Sequence, residues 1–113
     1  MNETMIEPRK RTMPEQPAKI KSLGGEFFED SRRVRASLEL SRDDTRPDLD
    51  LRLIDAEGIE LCHATIIENI GATLIFTLHI RQESIIFPLT LNGRLSYMDG
   101  EIQSEKEVSI HNE

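Results

Sequence analysis

The chain has 113 residues, 37% of them apolar and 31% charged, with a net charge of −7. That length suits one domain rather than two. Four Phe, one Tyr and no Trp require a core built from aliphatic side chains.

In chain order, residues 1–19 read as a disordered, Pro-containing tail. Pro8, Pro14 and Pro17 interrupt a charged segment whose scattered apolar residues cannot offset the entropy of ordering it. Residues 20–113 read as a single domain. Ile20, Leu23, Phe27 and Phe28 are expected to lay a first edge strand on it, with Gly24-Gly25 as a flexible joint. The stretch Phe27–Leu40 is ambiguous: Leu23, Phe27, Val34 and Leu38 fit a helical face, while Val34, Ala36, Leu38 and Leu40 fit a strand. A strand over Arg33–Leu40 is preferred, because four alternating positions match without a gap and the helical face would hold Asp30.

From Asp48 onward apolar and polar residues alternate almost without pause. A strand points successive side chains to opposite faces, so a period of two means one buried face and one wet face. Asp48–Ile54 is the next strand after a polar loop, 42–47. Asp55-Ala56-Glu57-Gly58 reads as a hairpin turn with a positive φ at Gly58. The returning strand, Ile59–Glu68, is blurred: Ile59, Leu61 and Ile67 share one parity, Cys62, Ala64 and Ile66 the other. Either both of its faces are covered or a bulge switches parity midway. A connection at Asn69-Ile70-Gly71 leads to the strand Thr73–Arg81, then to a turn at Gln82-Glu83-Ser84.

The last hairpin runs through Asp99-Gly100, a two-residue turn of the type I′ class. Its register pairs Tyr97 with Ile102, Leu95 with Ser104, Gly93 with Lys106, Leu91 with Val108 and Leu89 with Ile110. Lys106 then falls opposite the residue with no side chain, and the core is expected to end near Gly93. The fold class that follows is all-β: an antiparallel two-sheet sandwich of six to seven strands.

The segments Asp48–Glu60, reading DLDLRLIDAEGIE, and Phe87–Ile110 resemble the middle and last hairpins of bacterial immunoglobulin-like and fibronectin type III-like modules. The resemblance implies a Greek-key sandwich that serves as a scaffold or adhesion module rather than an enzyme. Antibody-type domains have two cysteines and a buried Trp; one Cys and no Trp exclude that subfamily.

Chemistry-bearing residues are sparse. Residues 1–22 carry +2 and the remainder −9, and such an acidic body argues against nucleic-acid binding. Cys62, the one cysteine, cannot form an intrachain disulfide. No apolar run approaches the roughly 20 residues of a membrane helix, and no apolar stretch follows the N-terminal bases. A cytoplasmic location without a membrane partner is expected. Cys62 and His63 are neighbours on a strand and point to opposite faces, so they do not converge on a metal. The acids at Asp43-Asp44, Asp48, Asp50, Asp55 and Glu57 lack the spacing of a calcium loop. With 21 acids in the chain, nothing marks a particular pair as catalytic. There is no Gly-x-Ser-x-Gly elbow and no phosphate loop. The Pro8–Thr12 basic cluster reads as a solvated leader.

No catalytic residue, metal site or cofactor is therefore expected. The reading is a non-enzymatic protein–protein interaction or scaffold module, with self-association or a protein partner. The alternative is a small-ligand or metal-binding sandwich acting as an accessory subunit, against which the scarcity of aromatics counts. The expected partner-binding edge is the blurred strand, through Ile59, Leu61, His63, Thr65 and Ile67, because open sheet edges present unpaired N–H and C=O groups.

Overall fold

In the computed structural model, residues 13–30, 32–98 and 100–112 are described. They form seven strands: β1 (Ile20–Phe28), β2 (Arg33–Leu40), β3 (Asp48–Ile54), β4 (Glu60–Ile66), β5 (Thr73–His79), β6 (Leu89–Ser96) and β7 (Ile102–Ile110). Two antiparallel sheets face each other, a three-stranded sheet in the order β1-β2-β5 and a four-stranded sheet in the order β4-β3-β6-β7. Each sheet holds one pair of neighbours three strands apart in sequence, β2 with β5 and β3 with β6. Such long-range neighbours are the mark of Greek-key connection. The arrangement is consistent with an immunoglobulin-like module. Among the described residues no helix is long and apolar enough to cross a membrane.

The alternation works as the strand pleat requires. In β2 the side chains of Val34, Ala36, Leu38 and Leu40 are buried, while Arg33, Arg35, Ser37 and Glu39 face water. Leu49, Leu51 and Leu53 of β3 and Leu89, Leu91 and Leu95 of β6 supply the opposite wall. Each such fully buried leucine stabilises the fold by about 1.5–3 kcal/mol relative to an exposed one.

The strand bounds of β2 and β3 are those read from the sequence, and the expected first edge strand is β1. Gly24-Gly25 is not a joint: both glycines lie within β1, paired with Ser37 and Ala36. A Cβ on Gly25 would stand 2.5 Å from Ile110 Cδ1, so the missing side chain lets β7 pack against β1. The Ile20 N–H also donates to Ser104 Oγ at 2.9 Å, which ties the same two strands together.

The last hairpin holds its expected register from Leu89–Ile110 to Leu95–Ser104, with Gly93 opposite Lys106. Beyond Leu95 the register slips, and Ser96, not Tyr97, pairs with Ile102. Asp99 lies outside the described residues; Gly100 has φ +79 and donates its N–H to Tyr97 O at 2.8 Å. The slip has a cause in Tyr97. Its ring is buried and its hydroxyl accepts the Ala18 N–H at 2.9 Å while bonding Thr45 Oγ1 at 2.7 Å. Tyr97 thus leaves the ladder to fill the sandwich. Nor does the core end at Gly93, since Leu51, Leu23 and Ile20 approach within 3.3–3.7 Å of where its Cβ would be.

The expected tail reaches too far into the chain. Ala18 is fully buried, Lys19 N–H donates to Ser41 Oγ, and Arg42 donates to the Gln16 carbonyl. The Pro8–Thr12 cluster lies outside the described residues.

Candidate functional site

The two lateral sides of the sandwich are built differently. On one side β1 and β7, the edges of the two sheets, are drawn together by the Gly25 contact and the Ile20–Ser104 hydrogen bond. On the other side lie β5 and β4, the remaining two edges. Here Leu61 and Leu78 are buried, but the other inward residues are only half-buried: Cys62, Ala64 and Ile66 of β4, and Leu74 and Phe76 of β5. The core is under-covered along this seam. Three large apolar residues beside it stand in solvent: Ile67 at 67% exposure, Ile70 at 75% and Ile75 at 64%.

β4 is an edge strand, and its blurred parity is the work of a bulge. Leu53 pairs with Cys62 but Ile54 pairs with Glu60, so Leu61 is the extra residue. The bulge turns Leu61 inward, and Cys62, Ala64 and Ile66 then take over the inner face. Leu61, at 6% exposure, therefore belongs to the core and cannot line a docking edge. Ile59 and Ile67 lie just outside the strand at its two ends, both exposed. His63 and Thr65 face outward within it.

Those two outward residues belong to a polar network on the face of the four-stranded sheet. Asp50 on β3 accepts from Thr65 Oγ1 at 3.0 Å and Arg52 Nε at 3.2 Å, and meets His63 Nε2 at 2.5 Å. Partial burial pushes the Asp50 carboxyl up, but the bonds from His63, Thr65 and Arg52 together outweigh it and hold the group below its ordinary value. Further across the sheet, Asn92 Nδ2 donates to Glu105 and Glu107, and Arg94 Nε donates to Glu105. The Asn92 and Arg94 bonds lower the Glu105 pKa. These groups bond one another from strand to strand, as cross-strand pairs do, while the buried Asn92 Oδ1 accepts no hydrogen bond from the described residues. The network does not point a set of groups at one reacting atom.

At the loop end, Arg42 grips Asp44 through two bonds at 2.8 and 2.9 Å, and this pairing lowers the Asp44 pKa. The Asp55 carboxylate, buried at the opposite end, accepts the N–H groups of Glu57 and Ile59 and closes the β3–β4 turn. The acids expected to be turn and surface residues are held in these local roles. Among the described residues no group of three or more His, Cys, Asp or Glu side chains is placed to hold a metal ion. A groove of about 450 Å³ between the ends of β1 and β7 is lined by Phe27, Glu29, Ile110 and His111 among others. Ser109 and Asn112 also line it.

The strand that sequence reasoning missed as an edge is β5. From Asn69 to Ile80 the chain has no Asp, Glu, Lys or Arg, its longest such run. β5 is the one strand of the seven without a charge. It pairs with β2 through all seven residues without a bulge. Natural sheets blunt their edges with charge, proline or bulges; β1 and β7 carry charges, β4 carries Glu60 and a bulge, and β5 carries none of these devices. The uncharged run was the available signal. Its meaning depended on which strands become edges, which the order of the sheets decides.

No family model matches the chain, and no curated protein matches its sequence. Solved structures do share its fold. The β-glucuronidase from Ruminococcus gnavus in complex with D-glucuronic acid is 13% identical over 86% of this chain and 16% of that chain, with a TM-score of 0.53. The apo form of the same enzyme is 12% identical over the same shares, with a TM-score of 0.52. The likeness concerns the fold alone. The chain spans about one sixth of the length of those glucuronidase chains.

Proposed function

We propose that this protein is a non-enzymatic interaction module of the immunoglobulin-like or fibronectin type III-like kind, which docks a protein partner on the side formed by β5 and β4. The observation that carries the reading is the free, uncharged and unbulged edge of β5 beside Ile67, Ile70 and Ile75. An open edge offers a partner strand a row of backbone N–H and C=O groups, and alternate side chains give that pairing its specificity. Docking there would also cover Leu74 and Phe76, which the sandwich leaves half-buried. Two further features support a module of this kind. The fourth strand pairs with the third rather than the fifth, which separates the order from that of antibody constant domains. Asp50, Asn92 and Asp44 on the other surfaces bond to neighbouring side chains in separate local networks rather than converging on one site.

The test is affinity capture with the wild-type chain, with Ile75→Lys, and with Lys106→Glu on the remote edge. The reading expects wild type and Lys106→Glu to retain the same protein, whether another chain or an untagged copy of this one, and Ile75→Lys to lose it. Equal retention by all three, or none by any, contradicts it.

A further inference from the structure

The four sheet edges differ in what they allow a second copy to do. Two chains each carrying −7 repel at long range, so self-association needs a contact that opposes no like charges. A two-fold pairing of β7 centred on Lys106 sets Lys against Lys and Glu105 against Glu107, like charges directly opposite. β1 is already engaged by β7 through the Ile20–Ser104 bond. β4 is interrupted by its bulge and carries Glu60. β5 has none of these obstacles.

The sequence of β5, Thr-Leu-Ile-Phe-Thr-Leu-His, is self-complementary about Ile75. In an antiparallel pair centred there, Ile75 lies opposite itself, Thr73 opposite the partner's Thr77, and Leu74 opposite the partner's Phe76. Direct pairing keeps the outward side chains of both copies, Thr73, Ile75 and Thr77, on one face. Apolar and Thr–Thr cross-strand pairs of this kind are stabilising. On the inner face the half-buried Leu74 and Phe76 of each copy would extend one core into the other.

The flanking charges fit as well. Within the three-stranded sheet Glu39 is the neighbour of Thr73, and Arg35 is the neighbour of Thr77. Across the two-fold this sets Glu39 in line with the partner's Arg35, and Arg35 in line with the partner's Glu39. Three strand spacings put the two β2 backbones roughly 14 Å apart, and the long side chains of Glu and Arg narrow that gap. Ser37, beside Ile75, meets its own counterpart and adds no charge.

From this we infer that the partner of the β5 edge is a second copy of the same chain, joined by antiparallel β5–β5 pairing about Ile75 into a continuous six-stranded sheet. The inference rests on the reading of β5 as the docking edge and names its occupant. β4 lies on the same side in the facing layer, so its exposed flank at Ile67 borders the same interface.

Sedimentation velocity on the full chain, over a dilution series, should show a mass that rises from 13.0 kDa to twice that value. Ile75→Lys, at a solvent-exposed position, should keep the fold by circular dichroism and halve the mass at the concentrated end. In a Cys62→Ser background, mild oxidation should link Ile75→Cys chains into a disulfide dimer. Thr77→Cys chains should stay unlinked, because Thr77 faces Thr73 in the pair. A monomer at every concentration with no link at position 75 overturns the inference. So does linkage at 77 in preference to 75. If the chain is monomeric while Ile75→Lys abolishes capture of a different protein, the β5 edge docks something other than a copy. If the chain is monomeric and nothing is captured, both readings fall together.

Discussion

Tyr97→Phe removes a single oxygen, and the structure sets what that should cost. The hydroxyl accepts the N–H of Ala18, a residue with no exposed surface, and bonds Thr45 Oγ1 at 2.7 Å. Without it the Ala18 N–H becomes a buried donor with no acceptor, a loss of about 1–3 kcal/mol. Thr45 is only half-buried and can turn to water, so it adds little. A total near 2 kcal/mol, at about 4 °C per kcal/mol for a domain of this size, lowers the melting temperature by about 8 °C. The assay is a thermal melt by circular dichroism, paired with amide exchange at Ala18, which should lose protection. Thr45→Val combined with Tyr97→Phe should cost less than the sum of the two, since both act on one bond network. A Tyr97→Phe melt within about 2 °C of wild type, with the Ala18 amide still protected, would refute the assignment of Tyr97 as the anchor of the entering chain.

Three more outcomes follow from named contacts. Leu51→Ala empties a buried site at the centre of β3, where the leucine packs over Gly93, and should cost about 2–5 kcal/mol in urea unfolding. Asp55→Ala leaves the Glu57 and Ile59 amides without their acceptor; both lie in a turn that water reaches, so the expected loss is about 1 kcal/mol with an unchanged m-value. Asp50 has a native pKa held below its ordinary 3.8, so the unfolded chain takes up that proton first as the solution is acidified. Its contribution is fully present above pH 3.8 and fades as the pH falls through the lower native value. The stability difference between wild type and Asp50→Asn should accordingly shrink across that acid window, and a difference independent of pH there would contradict the bonding described.

The strands were legible because burial alternates with the pleat. Val34, Ala36, Leu38 and Leu40 in β2, and Leu49, Leu51 and Leu53 in β3, sit between charged residues, so each strand's inner face and its bounds could be read directly. Alternation says less where one residue is added or withdrawn. The bulge at Leu61 was visible as a conflict of parity, though not which apolar residue the core would take. The slip at Ser96–Ile102 left no such trace, because it depends on Tyr97 reaching Ala18 and Thr45, residues 79 and 52 positions away. Edge identity was least legible. Period two marks a strand's two faces and not its lateral neighbours, so the β4 segment was picked out for its apolar parity while uncharged β5 passed as an ordinary strand.

The central claim, that the β5 edge is an interface, is tested most directly by backbone amide exchange across residues 73–79 at low and high protein concentration. Pairing predicts that the amides of β5 directed away from β2 exchange freely when dilute and become protected when concentrated, and that Ile75→Lys abolishes the protection. Outward amides that exchange at the rate of an open edge at every concentration would contradict it.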